Sequence, residues 1–393
     1  MNITSKIVAL SSAVAFALQT TLALLMLRYF SPEEVGIFSV ISQIGFFWTT
    51  LALAQAPLQF LANHEVSVLD DARRAWYSSM LRFVFLLPVV ALAIWWSGLP
   101  FVITLLWAIF LSLCQLTWML AQSMRLRMKG AWSLAGVRVL PPLMALLVTV
   151  LAIFMQCSGS SLLFAALTGY ASGAAWFLTS LYSAKQPHLT RSHQTFTPIS
   201  GDDRSTTLRM AHTLADALIA TGLFMVWQRL YGAGETGLMA APLRVMGFVP
   251  AVLHMAWTQV LLAQPQQGRA NPMFVGLGGF ACVALMGAAC VFALEMGWLD
   301  SQWQGVRPYV LPLVFWQGSA CVVAAFSYLA FQRFDARTYS WICIGLASLQ
   351  GIFLLGLALI GEWQPADSCF NWFAALSAIG LFGLSIWLNH KRA

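Results

Sequence analysis

Arg28-Tyr-Phe-Ser-Pro-Glu-Glu-Val-Gly-Ile-Phe38 returns, 201 positions later, as Arg229-Leu-Tyr-Gly-Ala-Gly-Glu-Thr-Gly-Leu-Met239. The offset superposes Arg28 on Arg229, Glu34 on Glu235 and Gly36 on Gly237. Each stretch sits between two apolar runs, 7–27 and 36–61 in the first case, 207–228 and 237–262 in the second. About 20 apolar residues carry a helix across a bilayer. Working outward, eight further runs have that length: 76–97, 101–124, 132–156, 160–183, 273–296, 308–331, 339–360 and 368–388. The chain therefore reads as an all-α polytopic membrane protein with about twelve transmembrane helices. Six runs lie on each side of a polar stretch rich in Pro, Ser, Thr and charge, which reads as a linker. The expected organisation is an N-terminal lobe over 1–184, a cytoplasmic linker over 185–205 and a C-terminal lobe over 206–393. An even number of helices per lobe gives corresponding helices the same orientation, so the lobes are parallel repeats about an axis along the membrane normal.

Composition agrees. Of 393 residues, 60% are hydrophobic and 9% charged, where a soluble domain has about 25% charged. A water-soluble fold of this size cannot give up so much charged surface, which excludes a cytosolic enzyme, a secreted disulfide domain and a disordered scaffold. The net charge of +7 is accordingly no nucleic-acid footprint; in a membrane protein its distribution sets orientation. The seven cysteines are odd in number, lie mostly in apolar runs and show no metal-binding spacing, so they read as small buried hydrophobes. Ala15-Phe16-Ala17 has the form of a cleavage site, but the apolar run continues to Leu27, too long for a signal core.

If the N-terminus is cytoplasmic, that side holds Lys6, Arg73, Arg74, Arg125, Arg127, Lys129, Lys185, Arg191, Arg204, Arg269, Arg333, Arg337, Lys391 and Arg392. The opposite side holds only Arg28, Arg229 and Arg307. Such a bias over short loops places both termini in the cytoplasm. Tryptophans near the span ends, among them Trp95, Trp132, Trp298, Trp341 and Trp387, form the expected interfacial belt.

Four arginines remain inside the spans: Arg82, Arg138, Arg209 and Arg244. Each costs about 2.5–3.5 kcal/mol at a helix centre on insertion scales. Against them stands one well-embedded carboxylate, Asp216; the first six spans contain neither Asp nor Glu. The bias favours an anionic ligand, and a planar guanidinium suits phosphate oxygens. Arg82, Arg138 and Arg209 lie close enough to span ends for their heads to snorkel to the interface instead. Arg244 lies deepest, and Gln43 is its mate at the 201 offset, so Gln43 joins the four arginines as a candidate substrate-binding residue. Arg209, His212 and Asp216 share a helix face at i, i+3, i+7. His212 and Asp216 are candidates for coupling to a proton or sodium gradient, the alternative being a structural ion pair from Asp216 to a neighbouring helix. Thr49, Thr50, Gln55, Gln59 and Gln259 are further polar positions within spans, suited either to sugar hydroxyls or to interhelical hydrogen bonds. No Walker A sequence, GxSxG, HExxH or paired carboxylates within one span occur. No ATP site, metal, cofactor or enzymatic chemistry is indicated.

The Arg28–Phe38 stretch followed by a polar-flecked helix, with Gly237-Leu-Met-Ala-Ala-Pro-Leu-Arg-Val and Trp257-Thr-Gln-Val in the second half, resembles the polysaccharide-transporter (Wzx-type) branch of the multidrug/oligosaccharidyl-lipid/polysaccharide (MOP) exporter superfamily. The resemblance implies a flippase of the bacterial inner membrane. Its cargo would be an undecaprenyl-diphosphate-linked oligosaccharide, such as an O-antigen or other surface-polysaccharide unit, moved to the periplasmic leaflet by alternating access. The partners implied are that lipid-linked oligosaccharide, membrane lipid, a coupling ion and polysaccharide assembly proteins, without nucleic acid. Two alternatives stand beside it. One is a cation-coupled drug antiporter of the same superfamily, against which the carboxylate-free first lobe argues. The other is a non-transporting membrane component of a polysaccharide assembly complex.

Overall fold

The computed structural model describes residues 3–54, 56, 67–128, 131–157, 159–183, 203–254, 271–332, 336–360 and 364–390. All regular structure among them is helical. In chain order the helices are α1 (Ile3–Tyr29), α2 (Pro32–Leu53), α3 (Val68–Ser97), α4 (Phe101–Arg127), α5 (Ala131–Phe154) and α6 (Ser161–Ser183). They continue with α7 (Asp203–Leu253), α8 (Pro272–Glu295), a short 3-10 turn (Ser301–Val306), α9 (Arg307–Phe326), α10 (Tyr328–Gln332), α11 (Ala336–Ile360) and α12 (Ala366–His390). Eleven helices among the described residues are long and apolar enough to cross a membrane.

One of the eleven makes two crossings. The apolar part of α7 holds 44 residues, Met210–Leu253, about 66 Å of helix at 1.5 Å per residue against a hydrocarbon core of about 30 Å. Gly232 interrupts it with φ 81° and ψ 179°, a backbone state open essentially to glycine alone. Before the break, Ile219 lies on Gly351 and Leu354 on Gly222, so the first arm runs alongside α11. After it, Leu238 lies on Gly305, Met246 on Gly287 and Leu253 on Gly279, beside Val314 and then Cys321, so the second arm runs alongside α9. The end of α9 and the start of α11 share one apolar cluster, Val322, Phe326, Tyr339 and Cys343, so these two helices run in opposite directions. The chain therefore reverses at Gly232, and the expected twelve crossings are present.

Some helices extend beyond the apolar runs that mark them. α3 begins at Val68, eight residues before its expected span at 76, because Ser67 caps it by accepting from the Asp70 N–H and a charged turn precedes the apolar run. α2 begins at Pro32, set by a cap described below. Of the polar stretch 185–205, residues 185–202 lie outside the described residues, and Asp203 already opens α7. Gln55, Gln59 and Gln259 also lie outside them.

The helices pack into two compact units, Met1–Gln19 with Ile41–Ala217, and Thr20–Val40 with Leu218–Ala393. The adjoining ends of α1 and α2 group with the second half of the chain. In the first unit Trp48 stacks on Phe83 at 4.0 Å and its indole N–H donates to the Phe83 carbonyl at 2.9 Å. Thr49 donates to the Ser112 carbonyl across α2 and α4 (3.1 Å), and Trp118 to the Val137 carbonyl across α4 and α5 (2.8 Å). In the second unit α9 is the central helix, with Tyr309, Leu313, Cys321, Ala325 and Phe326 all buried. An aromatic cluster of Trp227, Tyr309, Trp316, Phe370 and Phe373 joins α7, α9 and α12. Phe85, Phe154, Phe274, Leu359, Trp372 and Ile379 point outward, more than 70% exposed. An apolar surface of that kind is stable only against lipid.

Candidate functional site

The repeated motif builds one end of the second unit. Ser31 and Glu34 form a reciprocal capping box on α2: the Glu34 N–H donates to Ser31 Oγ at 3.2 Å and the Ser31 N–H to Glu34 Oε2 at 3.0 Å. Pro32 fills the first helical position, where no N–H is needed. The repeat mate Glu235 instead accepts from the Tyr309 hydroxyl at 2.8 Å. Arg28 donates to the Trp298 carbonyl at 2.6 Å and meets Asp300 at 3.4 Å, while the Trp303 indole N–H donates to the Phe30 carbonyl at 3.2 Å. Where α2 and the second arm of α7 start, Gly36 faces the carbonyl of Ala233 and Gly237 faces the carbonyl of Pro32. A Cβ on either glycine would overlap that oxygen.

The structure gives the candidate arginines different surroundings. Arg82 is half-buried and turned onto the C-terminal end of α2. Its Nε donates to the Ala52 carbonyl at 2.8 Å and Nη2 to the Leu53 carbonyl at 3.4 Å, with Ser78 and Ser79 hydroxyls alongside. A helix C-terminus has carbonyls without intrahelical donors and a negative dipole end, and a cation answers both. Arg138 is half-buried on α5 and donates from Nη1 to Ser12 Oγ at 3.0 Å. Its Nε is buried without an acceptor among the described residues. Arg209 lies on the first arm of α7, its side chain outside the described part. One turn further, His212 Nε2 and Asp216 Oδ2 meet at 3.1 Å, with the Asp216 side chain 62% exposed. Asp216 is thus joined to its own helix. Gln43 is half-buried on α2 in the first unit.

Two cations expected on the cytoplasmic side are also held. Arg127 forms a 2.8 Å pair with Asp71 in which both side chains are largely buried, tying α4 to α3, and Arg125 lies over the Trp176 ring at 5.9 Å.

Arg244, like Arg125, meets an aromatic ring. It sits half-buried on the second arm of α7, its guanidinium carbon 4.3 Å from the centroid of the Phe38 ring on α2. Arg244 follows Gly237 by seven residues, which returns it to the face where that glycine meets α2. Its side chain slants back toward the helix N-terminus, as long side chains on helices do, and so comes level with Phe38. The sequence singled out Arg244 but not Phe38, one phenylalanine among 27. The only signal was that Phe38 closes the repeated motif. Among the described residues no three His, Cys, Asp or Glu side chains gather as a metal site requires.

No family model matches the chain, and no curated protein matches it. Among solved structures the chain is similar to one described as the inward-facing conformation of a multidrug resistance MATE family transporter of the MOP superfamily. Identity is 11% and the TM-score 0.46, over 100% of this chain and 94% of that chain. At that identity no residue role passes from one to the other.

Proposed function

We propose that this multi-pass membrane protein is a transporter of the Wzx type within the MOP superfamily. In this reading it moves undecaprenyl-diphosphate-linked oligosaccharide from the cytoplasmic to the periplasmic leaflet of a bacterial inner membrane, both termini being cytoplasmic. It works by alternating access, for surface-polysaccharide or O-antigen assembly, and is not an enzyme. The observation that carries the reading is Arg244. A guanidinium is kept half-buried within a membrane span, its carbon 4.3 Å from the centroid of the Phe38 ring. Together with Arg138, whose buried Nε faces no acceptor among the described residues, it supports an anionic head group as cargo. The resemblance carried by Arg28–Phe38 supports a glycan-carrying class. The test is reconstitution of the full chain in proteoliposomes with a lipid-linked oligosaccharide on one leaflet. Arg244→Glu is expected to abolish translocation while the protein stays folded; translocation at the normal rate by that variant would overturn the assignment.

A cation-coupled antiporter is the second reading, favoured by the His212–Asp216 contact at 3.1 Å, which places a titratable pair on one face of the first arm of α7. Asp216→Asn discriminates. Loss of gradient dependence, with export of cationic dyes by the parent protein, would support the antiporter. Unchanged gradient dependence would remove Asp216 from any coupling role. Proteoliposomes that move neither cargo would favour the non-transporting assembly component.

A further inference from the structure

We propose that the C-terminal end of α2 is a site for a small monovalent cation, and that the Arg82 guanidinium fills it as a tethered ion. The first unit then carries, as part of its own chain, a charge that a dissolved ion would otherwise supply. The inference goes beyond the transport reading and holds for any cargo.

α2 stops inside its own apolar run. Its last helical residue is Leu53, while the run continues to 61. Ala54 takes a left-handed backbone, φ 41°, uncommon for a residue with a Cβ, and its N–H returns to the Thr50 carbonyl at 3.1 Å. Pro57 stands four residues after Leu53 and has no N–H to give that carbonyl. Backbone carbonyls at membrane depth need a partner, and the helix dipole makes this end negative. Broken helix ends of this kind are where transporters hold sodium or a proton.

Arg82 reaches this end from α3. The Trp48–Phe83 stack and the indole bond to the Phe83 carbonyl set the register of α2 on α3 one turn before Ala52, which brings the residue beside Phe83 to the end of α2. Among the described residues its partners are neutral oxygens: the Ala52 and Leu53 carbonyls at 2.8 and 3.4 Å, and the Ser78 and Ser79 hydroxyls at 3.3 and 3.4 Å. Ser78 gives its own proton to the Ala75 carbonyl at 3.0 Å, so it meets the guanidinium as an acceptor. Uncharged oxygens of this sort replace the hydration shell of a monovalent ion, and the first six spans supply neither Asp nor Glu to do so. Arg138, the other embedded arginine of this unit, is not held this way: it gives Nη1 to a single hydroxyl, and its Nε faces no acceptor among the described residues.

The test is thermal unfolding of the detergent-purified full chain, titrated with methylguanidinium chloride or sodium chloride while N-methyl-D-glucamine chloride keeps the ionic strength constant. Arg82→Ala removes the tethered ion, Arg82→Met removes it but keeps an apolar stem, and Arg82→Lys leaves a tethered ammonium. Methylguanidinium, the fragment of the side chain that is lost, is expected to raise the midpoints of Arg82→Ala and Arg82→Met by a few degrees and to saturate, because a ligand that binds only the folded state stabilises it. A saturating rise with sodium would equally support a monovalent-cation site. The parent and Arg82→Lys, already filled, should show no saturating rise. Where neither truncated variant folds in N-methyl-D-glucamine alone, recovery of folded protein on purification in methylguanidinium is the supporting result, and no recovery the opposing one. A flat response of both truncated variants to both cations would overturn the proposal, as would an equal rise in the parent. Arg244 enters none of these measurements, so either result leaves the cargo reading as it stands.

Discussion

Gly36 and Gly237 occupy equivalent places at the meeting of two helices. Gly36 lies against the carbonyl of Ala233 and Gly237 against the carbonyl of Pro32, and the offset that carries Gly36 to Gly237 also carries Pro32 to Ala233. The contact is its own image under the repeat, a local two-fold relation between α2 and the second arm of α7. Helix backbones approach this closely only where side chains are absent, the arrangement by which small residues hold membrane helices together when no hydrophobic drive separates helix from lipid.

Gly36→Ala and Gly237→Ala are therefore each expected to lower stability in detergent by about 1–3 kcal/mol for overpacking, read as a lower unfolding midpoint. Parting the helices to admit one Cβ also makes room for the other, so the double variant should lose less than the sum of the single ones. Thermal unfolding followed by tryptophan fluorescence measures all three. Strict additivity, or unchanged midpoints, would contradict the reciprocal contact.

Gly232 lies a few residues away, and its demand is conformational. Its φ is 81° and its ψ 179°, and the space where a Cβ would sit is open. Gly232→Ala therefore meets no neighbour; the strain is in the backbone alone and costs about 1–3 kcal/mol. Reduced yield of folded protein is expected, and Gly232→Asn, despite the wider tolerance of Asn for positive φ, should not recover it because the extended ψ lies outside the αL region. Recovery by asparagine would show that the chain turns through a different state.

Much of this architecture was legible because lipid acts directly on side-chain composition. The spans at 101–124, 160–183 and 339–360 differ from α4, α6 and α11 by only a few residues at either end. What periodicity could not supply was the partner of each polar group. Arg82 and Arg244 look alike as embedded cations, yet the acceptors of Arg82 lie 29 and 30 residues earlier in the chain, and Arg244 lies on a ring from the other repeat. Those partners follow from helix packing, which leaves no local mark in the sequence. Glu34 and Glu235 make the same point, because the repeat preserves the residue and not its bond.

The two glutamates should accordingly answer substitution differently. Glu34 acts within its own capping box, where glutamine also serves, so Glu34→Gln is expected to be nearly neutral and Glu34→Ala to cost about 0.5–2 kcal/mol, the range for loss of a cap. Glu235 receives the hydroxyl of buried Tyr309, and a hydrogen bond to a charged group is worth about 1.5–3 kcal/mol. Tyr309→Phe and Glu235→Gln should each destabilise, and a double-mutant cycle between them should show coupling of about 0.5–3 kcal/mol. A cycle between Tyr309 and Glu34 provides the control, with coupling expected near zero. Equal coupling to both glutamates would mean that Glu235 owes its effect to something other than the bond.

Arg82 provides a comparison for the anion-binding role proposed for Arg244. Its guanidinium answers the Ala52 and Leu53 carbonyls at the end of α2, where the helix has run out of internal donors. Arg82→Ala should lower stability by about 1–3 kcal/mol, the cost of leaving a buried acceptor unsatisfied. Arg82→Lys should restore part of it, since an ammonium supplies charge to the helix end without the forked geometry. Transport per folded molecule is expected to change little in Arg82→Lys, whereas Arg244→Lys should depress it, because the planar fork is lost there. Proteoliposome flux normalised to folded protein makes the comparison. A larger loss of flux from Arg82→Lys than from Arg244→Lys would exchange the two assignments and place the anion contact at the end of α2.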